Sequence, residues 1–238
     1  SEVLSRNGIG TTWLVASYDL AKSALADERL SNDVRAAHSN VDEGSRAHGL
    51  LGLDRPEHAR LRGVLSGAFS SGAVERWAPL IESIVNDAID KFAQRGSSEL
   101  VQDFCLPVPV AIVHELLGIP EDVRQPAREC FDLFARAGID PLGDVEAEAE
   151  LDDYVTTLID YKRVHPADDL GTLLVAARSE GTLHSEEELK AMFLGLLGAG
   201  HVSTTQFLGC AFLQLVGSRD RIEQILGPEQ AAYRAIDE

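Results

Sequence analysis

Cysteine is scarce in this chain. Only three occur in 238 residues, Cys105, Cys130 and Cys210, and no two share the C-x-x-C spacing of a redox or metal site. Each stands among apolar neighbours, as in Phe104-Cys105-Leu106 and Gly209-Cys210-Ala211, so three reduced, buried thiols are expected. Basic residues are also few. The 21 Lys and Arg face 39 Asp and Glu, for a net charge of −18. A nucleic acid or an anionic membrane surface demands the opposite sign, so neither is an expected partner. No apolar run is long enough for a bilayer; the most apolar, Ala191 to Val202, is short and rich in glycine. The opening residues, Ser1-Glu2-Val3-Leu4, form no secretion signal and lack an initial Met, which points to a processed or trimmed cytoplasmic chain. A phosphate-binding P-loop, a G-x-G-x-x-G turn, an H-E-x-x-H helix and a G-x-S-x-G elbow are all missing. Nucleotide-loop chemistry, zinc peptidase chemistry and serine hydrolysis therefore have no support.

What remains describes a globular, helical protein. Hydrophobic residues make up 45% and charged residues 25%, with a mean hydropathy of −0.05. No repeat, low-complexity stretch or linker interrupts the chain, so residues 1–238 are read as one domain. Trp13 to Ala16 is a strand candidate, and Asp19 is placed to cap a helix running to Asp27. Leu30 to Gly52 reads as a long loop with at most a short helix, a length at which loops are often functional. Helices are expected over 56–69, 71–94, 107–118, 120–137, 145–165 and 168–179. Glu146, Glu148, Glu150, Asp152 and Asp153 mark a solvated face, not a metal site. Ser185 followed by Glu188 is a capping box, and the helix it opens should run to about Val216. Its middle is apolar on nearly every face, so burial on most sides is expected. A shorter helix to Leu226 should follow.

Two places could carry chemistry. His58 and Arg62 are four apart and share a helix face, where both could donate to a carboxylate or phosphate. Spacing alone favours a basic surface stripe pairing with Glu57. Gly195, Gly198 and Gly200 crowd the middle of the long helix, although each glycine there costs about 1 kcal/mol against alanine. Something approaches that backbone, either a ligand or a neighbouring helix.

The run Asp54-Arg55-Pro56-Glu57-His58-Ala59-Arg60-Leu61-Arg62 resembles the haem-propionate helix of cytochromes P450. The stretch Leu194 to Thr205, with Ala199-Gly200 at its centre, resembles the same family's oxygen-binding segment. Further similarity lies in Ala26 to Ser31 and in Asp103 through Pro120, so the likeness covers nearly the whole chain. The last residues, Ala235-Ile236-Asp237-Glu238, look like the Glu of the family's E-x-x-R motif; its Arg and the haem-ligating Cys loop would then lie beyond residue 238.

The resemblance implies a mainly α, cytochrome P450-like fold with a long central helix and a small β component, C-terminally incomplete. It implies haem b as cofactor, with His58 and Arg62 holding the propionates and Ala199 and Gly200 lying over the haem face. It implies dioxygen, a ferredoxin-type electron donor and a small organic substrate contacted by the Leu30 to Leu53 loop. The family usually places an acid and then Thr after the Ala-Gly-x triplet to deliver protons. Here Val202 stands at the acid's place, Ser203 at the alcohol's, and Thr204 follows; His201 is the candidate replacement proton donor, although a buried imidazole that is merely satisfied is the more expected reading of it. The Gly-Ala-Gly-x-Val-Ser-Thr form is also similar to members acting on cyclic dipeptides. The rival expectation is a haem-free relative that assists another enzyme, such as a glycosyltransferase. A third is a scaffold without activity.

Overall fold

The computed structural model describes residues 2–4, 11–33, 49–139, 145–218, 220, 222 and 223. Its β component is one antiparallel ribbon. Strand β1 (Glu2–Leu4) pairs with β2 (Thr11–Trp13), with Glu2 opposite Trp13. The strand thus lies earlier than expected, on the β-branched Thr11 and Thr12, and Leu14 to Ala16 fall outside it.

Eight α-helices follow among the described residues to Val216. Helix α1 (Tyr18–Leu25) is capped by Ser17, whose Oγ accepts the Leu20 N–H at 3.3 Å. Asp19 therefore sits inside the first turn, where its charge suits the helix dipole, and is not the cap. After residues 34–48 comes a short 3₁₀ turn, Leu50–Gly52. Helices α2 (Glu57–Ser66) and α3 (Ser71–Ala93) match the expected spans within a few residues. A π turn (Val101–Cys105) leads into α4 (Pro107–Leu117). Gly118 closes α4 with φ 64°, and Ile119 N–H returns to the His114 carbonyl at 2.8 Å.

The helix expected over 120–137 divides. A 3₁₀ turn (Glu121–Val123) comes first, then α5 (Ala127–Ile139). Pro126 explains the break, because proline cannot donate within a continuing helix. Arg124 holds the bend by donating to the Ile119 carbonyl at 2.8 Å and to Glu115 Oε1 at 2.7 Å. Helices α6 (Val145–Val164) and α7 (Leu170–Ser179) precede the central α8 (Glu186–Val216). With 31 residues, α8 is about 46 Å long. Ser185 Oγ accepts the Glu188 N–H at 3.2 Å, while the Glu188 carboxylate takes the N–H of His184 at 2.7 Å. The box closes one residue early on its return arm. Residues 220, 222 and 223 are helical, but the end of the expected final helix lies outside the described residues.

The core forms where α8 is enclosed by α4, α5, α6, α7, the π turn and the 50–52 turn. Leu189, Met192, Phe193 and Leu197 of α8 meet Leu117, Leu158, Ile159 and Leu174 in one cluster. Burial on most sides holds only for the first two-thirds of α8. Beyond Thr205, Phe207, Leu213 and Val216 are exposed, because no described element covers that side. Cys105 and Cys130 are buried as expected, and Cys210, on the same uncovered stretch, is exposed.

The junction of α4, α6 and α7 is fixed by a buried ion pair. Lys162 Nζ lies 2.6 Å from Asp169 Oδ2, and Asp169 also caps α7 through the Thr172 N–H at 2.8 Å. Both side chains are under a tenth exposed. Gly118 leaves room for the pair; a Cβ there would collide with Asp169 Oδ2 and Lys162 Nζ. The acidic face of α6 is largely solvated, with Asp152 bound to Lys190 at 2.7 Å. Among the described residues no cluster of His, Cys, Asp and Glu could hold a metal ion. No helix among them is long and apolar enough to cross a membrane.

Candidate active site

Helix α8 presents one side to a cavity of about 640 Å³. From α8 the lining includes Met192, Gly195, Ala199, Val202, Ser203 and Gln206. Phe134 of α5, Leu151 of α6 and Gly49, Leu50 and Leu51 line it from other elements. The long loop therefore reaches the cavity through its last residues. Its two ends are tied together by Asp54, which accepts from Ser31 Oγ at 2.5 Å and from the Asn32 N–H at 3.2 Å. These bonds hold the Asp54 carboxyl below the usual range. Residues 34–48 of that loop lie outside the described residues.

The three crowded glycines have different neighbours. Gly200 faces α4, and a Cβ on it would collide with Val113 Cγ2. Gly198 faces α5, where a Cβ would lie 3.0 Å from the Phe134 ring. Gly195 faces open cavity, with nothing within 4 Å of a Cβ. Close helix packing therefore accounts for Gly200, and open space for Gly195.

Rotation along α8 separates the candidate residues. At about 100° per residue, His201 stands roughly 200° round from Ala199, on the opposite side of the helix. It is buried between Phe131 and Phe134, its ring centroid 5.0 Å from that of Phe134. Its Nδ1 bonds to the Leu197 carbonyl, and its Nε2 has no protein partner. Burial lowers its pKa, an effect only partly offset by the carbonyl bond. Among the described residues the cavity lining includes Ala199 and Ser203, but not Gly200, His201 or Thr204. Ser203 donates its hydroxyl to the Ala199 carbonyl at 2.7 Å, so its lone pairs, not its proton, face the cavity. Val202 lines the cavity with no titratable group.

On α2 the three basic residues divide in the same manner. Arg60 is engaged: its guanidinium grips both oxygens of Glu188, at 2.9 and 2.5 Å, and the Thr182 carbonyl at 2.7 Å. That contact raises the Arg60 pKa. Burial pushes Glu188 up, but the bonds from Arg60 and the His184 N–H outweigh it and hold the acid low. His58 and Arg62 stand about 160–200° from Arg60 round the helix. Neither side chain has a hydrogen-bond or ion-pair partner among the described residues, Glu57 included. The 50–52 turn touches both α2 and α8.

Sequence reasoning missed three groups. His114 on α4 is buried with Nε2 unpartnered, and its pKa falls to about 4 through burial and then the nearby charges of Arg124 and His201. Thr205 is buried with its Oγ1 unpartnered. Gln206 lines the cavity; its only signal is that it stands seven residues past Ala199, two turns on along one face.

The described residues thus form a helical fold built round one long helix, with an apolar cavity against its glycine-rich centre. Comparison with known proteins names that fold. The chain is 32% identical over 244 residues to cytochrome P450 107B1 of Saccharopolyspora erythraea, covering 98% of this chain and 60% of that one. It is 33% identical over 231 residues to the cytochrome P450 monooxygenase PikC of Streptomyces venezuelae, covering 95% and 55%. The crystal structure of myxobacterial cytochrome P450 CYP267B1 with myristic acid superposes with a TM-score of 0.85 at 28% identity, covering 99% of this chain and 62% of that one. No family model matches. The chain is thus similar to bacterial cytochromes P450 along nearly its whole length, and it spans about 60% of the length of the relatives it matches.

The likeness implies haem b. The described residues fit part of that group. An unpaired imidazole and guanidinium on one helix face suit two carboxylates, and Ala199 opens space against α8. None of the three cysteines lines the cavity.

Proposed function

We propose that this chain forms the oxygen- and substrate-side part of a haem-thiolate monooxygenase acting on a small organic molecule. The observation that carries the reading is the pairing of two features: a cavity against Ala199 and Ser203 of α8, and a basic pair on α2 that no described protein group satisfies. Haem, when bound, supplies the activation of dioxygen and the transfer of one oxygen atom to substrate. The chain's own residues bind and orient. His58 and Arg62 donate to the propionates. Ala199 keeps a side of the cavity open, and Leu50, Leu51, Phe134 and Leu151 give it an apolar lining. Ser203 offers hydroxyl lone pairs, and it can donate a proton only after leaving the Ala199 carbonyl. Gly200 and His201 act by placing α8: Gly200 admits Val113, and His201 wedges against α5. Thr204 is exposed and outside the cavity lining. Val202 carries no proton, so a proton at this wall would have to come from water or a substrate hydroxyl. Electrons come from a ferredoxin-type donor, and residues 1–238 belong to one cytoplasmic domain.

The haem-free reading draws no support from the relatives, which include a monooxygenase, an N-oxygenase and a hydroxylase/epoxidase. The test is haem content of the protein as its gene encodes it. His58→Ala/Arg62→Ala should lose most of its haem, since removing both donors leaves buried carboxylates unpaired at about 1–3 kcal/mol each. Equal haem content in wild type and double variant rejects the assignment.

A further inference from the structure

We infer that the cavity selects an uncharged molecule carrying a hydrogen-bond acceptor, such as a ketone, ester or amide, and that the Gln206 side-chain amide recognises that acceptor. The inference rests on the reading of this cavity as the substrate site and adds the chemistry of its ligand.

The lining leaves few polar choices. Among the described residues it holds no Asp, Glu, Lys, Arg or His. A carboxylate or ammonium entering would lose its water with no counter-charge to replace it, which is strongly unfavourable. Two side chains on α8 offer polar groups, Ser203 and Gln206, three residues apart on one face. Ser203 has spent its proton on the Ala199 carbonyl, so it can only accept. Gln206 makes no protein hydrogen bond among the described residues, and its side chain is exposed. Its amide N–H₂ is therefore the one unspent side-chain donor facing the cavity from the described residues. Glutamine has the reach and rotamer freedom to meet an acceptor inside, while Met192, Leu194 and Leu151 take up the apolar remainder.

The test is equilibrium dialysis of three probes against the purified protein: 2-acetylnaphthalene, 2-ethylnaphthalene and 2-naphthoate. The first has a ketone acceptor, the second has none, and the third is an anion. Gln206→Leu should weaken 2-acetylnaphthalene by about 5-fold and leave 2-ethylnaphthalene within about 2-fold, the scale of one hydrogen bond to a ligand. The naphthoate should bind at least about 10-fold more weakly than the ketone to wild type. Gly195→Phe serves as the cavity plug, because a side chain there meets no protein atom within 4 Å of its Cβ and fills open space. It should abolish binding of both neutral probes while its circular dichroism stays native. If the plug blocks both neutral probes but Gln206→Leu weakens them equally or not at all, the Gln206 assignment is wrong and the cavity reading stands. If naphthoate binds as well as the ketone, selection of an uncharged ligand is wrong. If a folded Gly195→Phe binds the probes as wild type does, the cavity is not the binding site and both readings fall together.

Discussion

Gly195, Gly198 and Gly200 meet three different surroundings within one helix, and alanine at each should behave differently. Gly200→Ala gains about 1 kcal/mol of helix propensity but drives a methyl into Val113, an overpacking that costs about 1–3 kcal/mol. Urea unfolding should show a net loss, recovered when Val113→Ala is added. Gly195→Ala has open space and should stabilise by up to about 1 kcal/mol. Loss at Gly195 or a net gain at Gly200 would contradict the packing described. The buried imidazoles give a second prediction. His114 stays neutral in the fold down to about pH 4, while in the unfolded chain it charges near 6.5. Its folded pKa is the lower one, so the unfolded state binds more protons between those values. Stability should be level above about pH 7 and fall between about 6.5 and 4, by an amount of order 1–3 kcal/mol. His201 shifts in the same direction. The carboxylates held low, Asp54, Asp103 and Glu188, titrate beneath most of this window. His114→Leu should flatten the profile; an unchanged slope would assign the acid sensitivity elsewhere.

Between elements, the Arg60 contact joins α2 to the first turn of α8 and thereby to the wall that carries the cavity. It is about four-fifths buried and doubly bonded, unlike the exposed pairs on α6. Arg60→Ala should cost about 2–3 kcal/mol, since it leaves Glu188 and the Thr182 carbonyl without their donor. Guanidinium-chloride melts check the value, and a loss below about 0.5 kcal/mol would make the pair ornamental. Which arginine of the H-x-R-x-R run turns inward could not be told from spacing, because all three residues suit either face. The same limit applies to α8. Its ends are plain in the sequence, with Ser185 and Glu188 at one and Gly217 at the other. Its apolar residues surround the axis, so nothing in the pattern says which side meets the cavity. Once Ala199 is placed there, counting turns puts Ser203 and Gln206 beside it and His201 behind it. The break before α5 is different: Pro126 signals it, yet the apolar spacing on both sides reads as one helix.

At the scale of the whole molecule, the described residues provide one wall of a site. They supply an apolar cavity, an unpaired basic pair and a helix made to be approached, but no thiolate. Cys105 and Cys130 are buried thiols whose pKa burial raises, Cys130 to about 11, and Cys210 is exposed beyond the cavity on α8. The helical order was legible because caps, prolines and glycines punctuate the chain, and the family likeness because the runs Asp54 to Arg62 and Leu194 to Thr205 resemble known motifs. The partition of the site was not, because it depends on how α4 and α5 rotate against α8. The measurement that decides the account is the carbon monoxide difference spectrum of the reduced protein, taken on residues 1–238 and on the protein as its gene encodes it, both with haem supplied. The account predicts the thiolate band in the full gene product and none in residues 1–238. A full gene product without the band would contradict the monooxygenase, and a band from residues 1–238 alone would contradict the placement of all three cysteines.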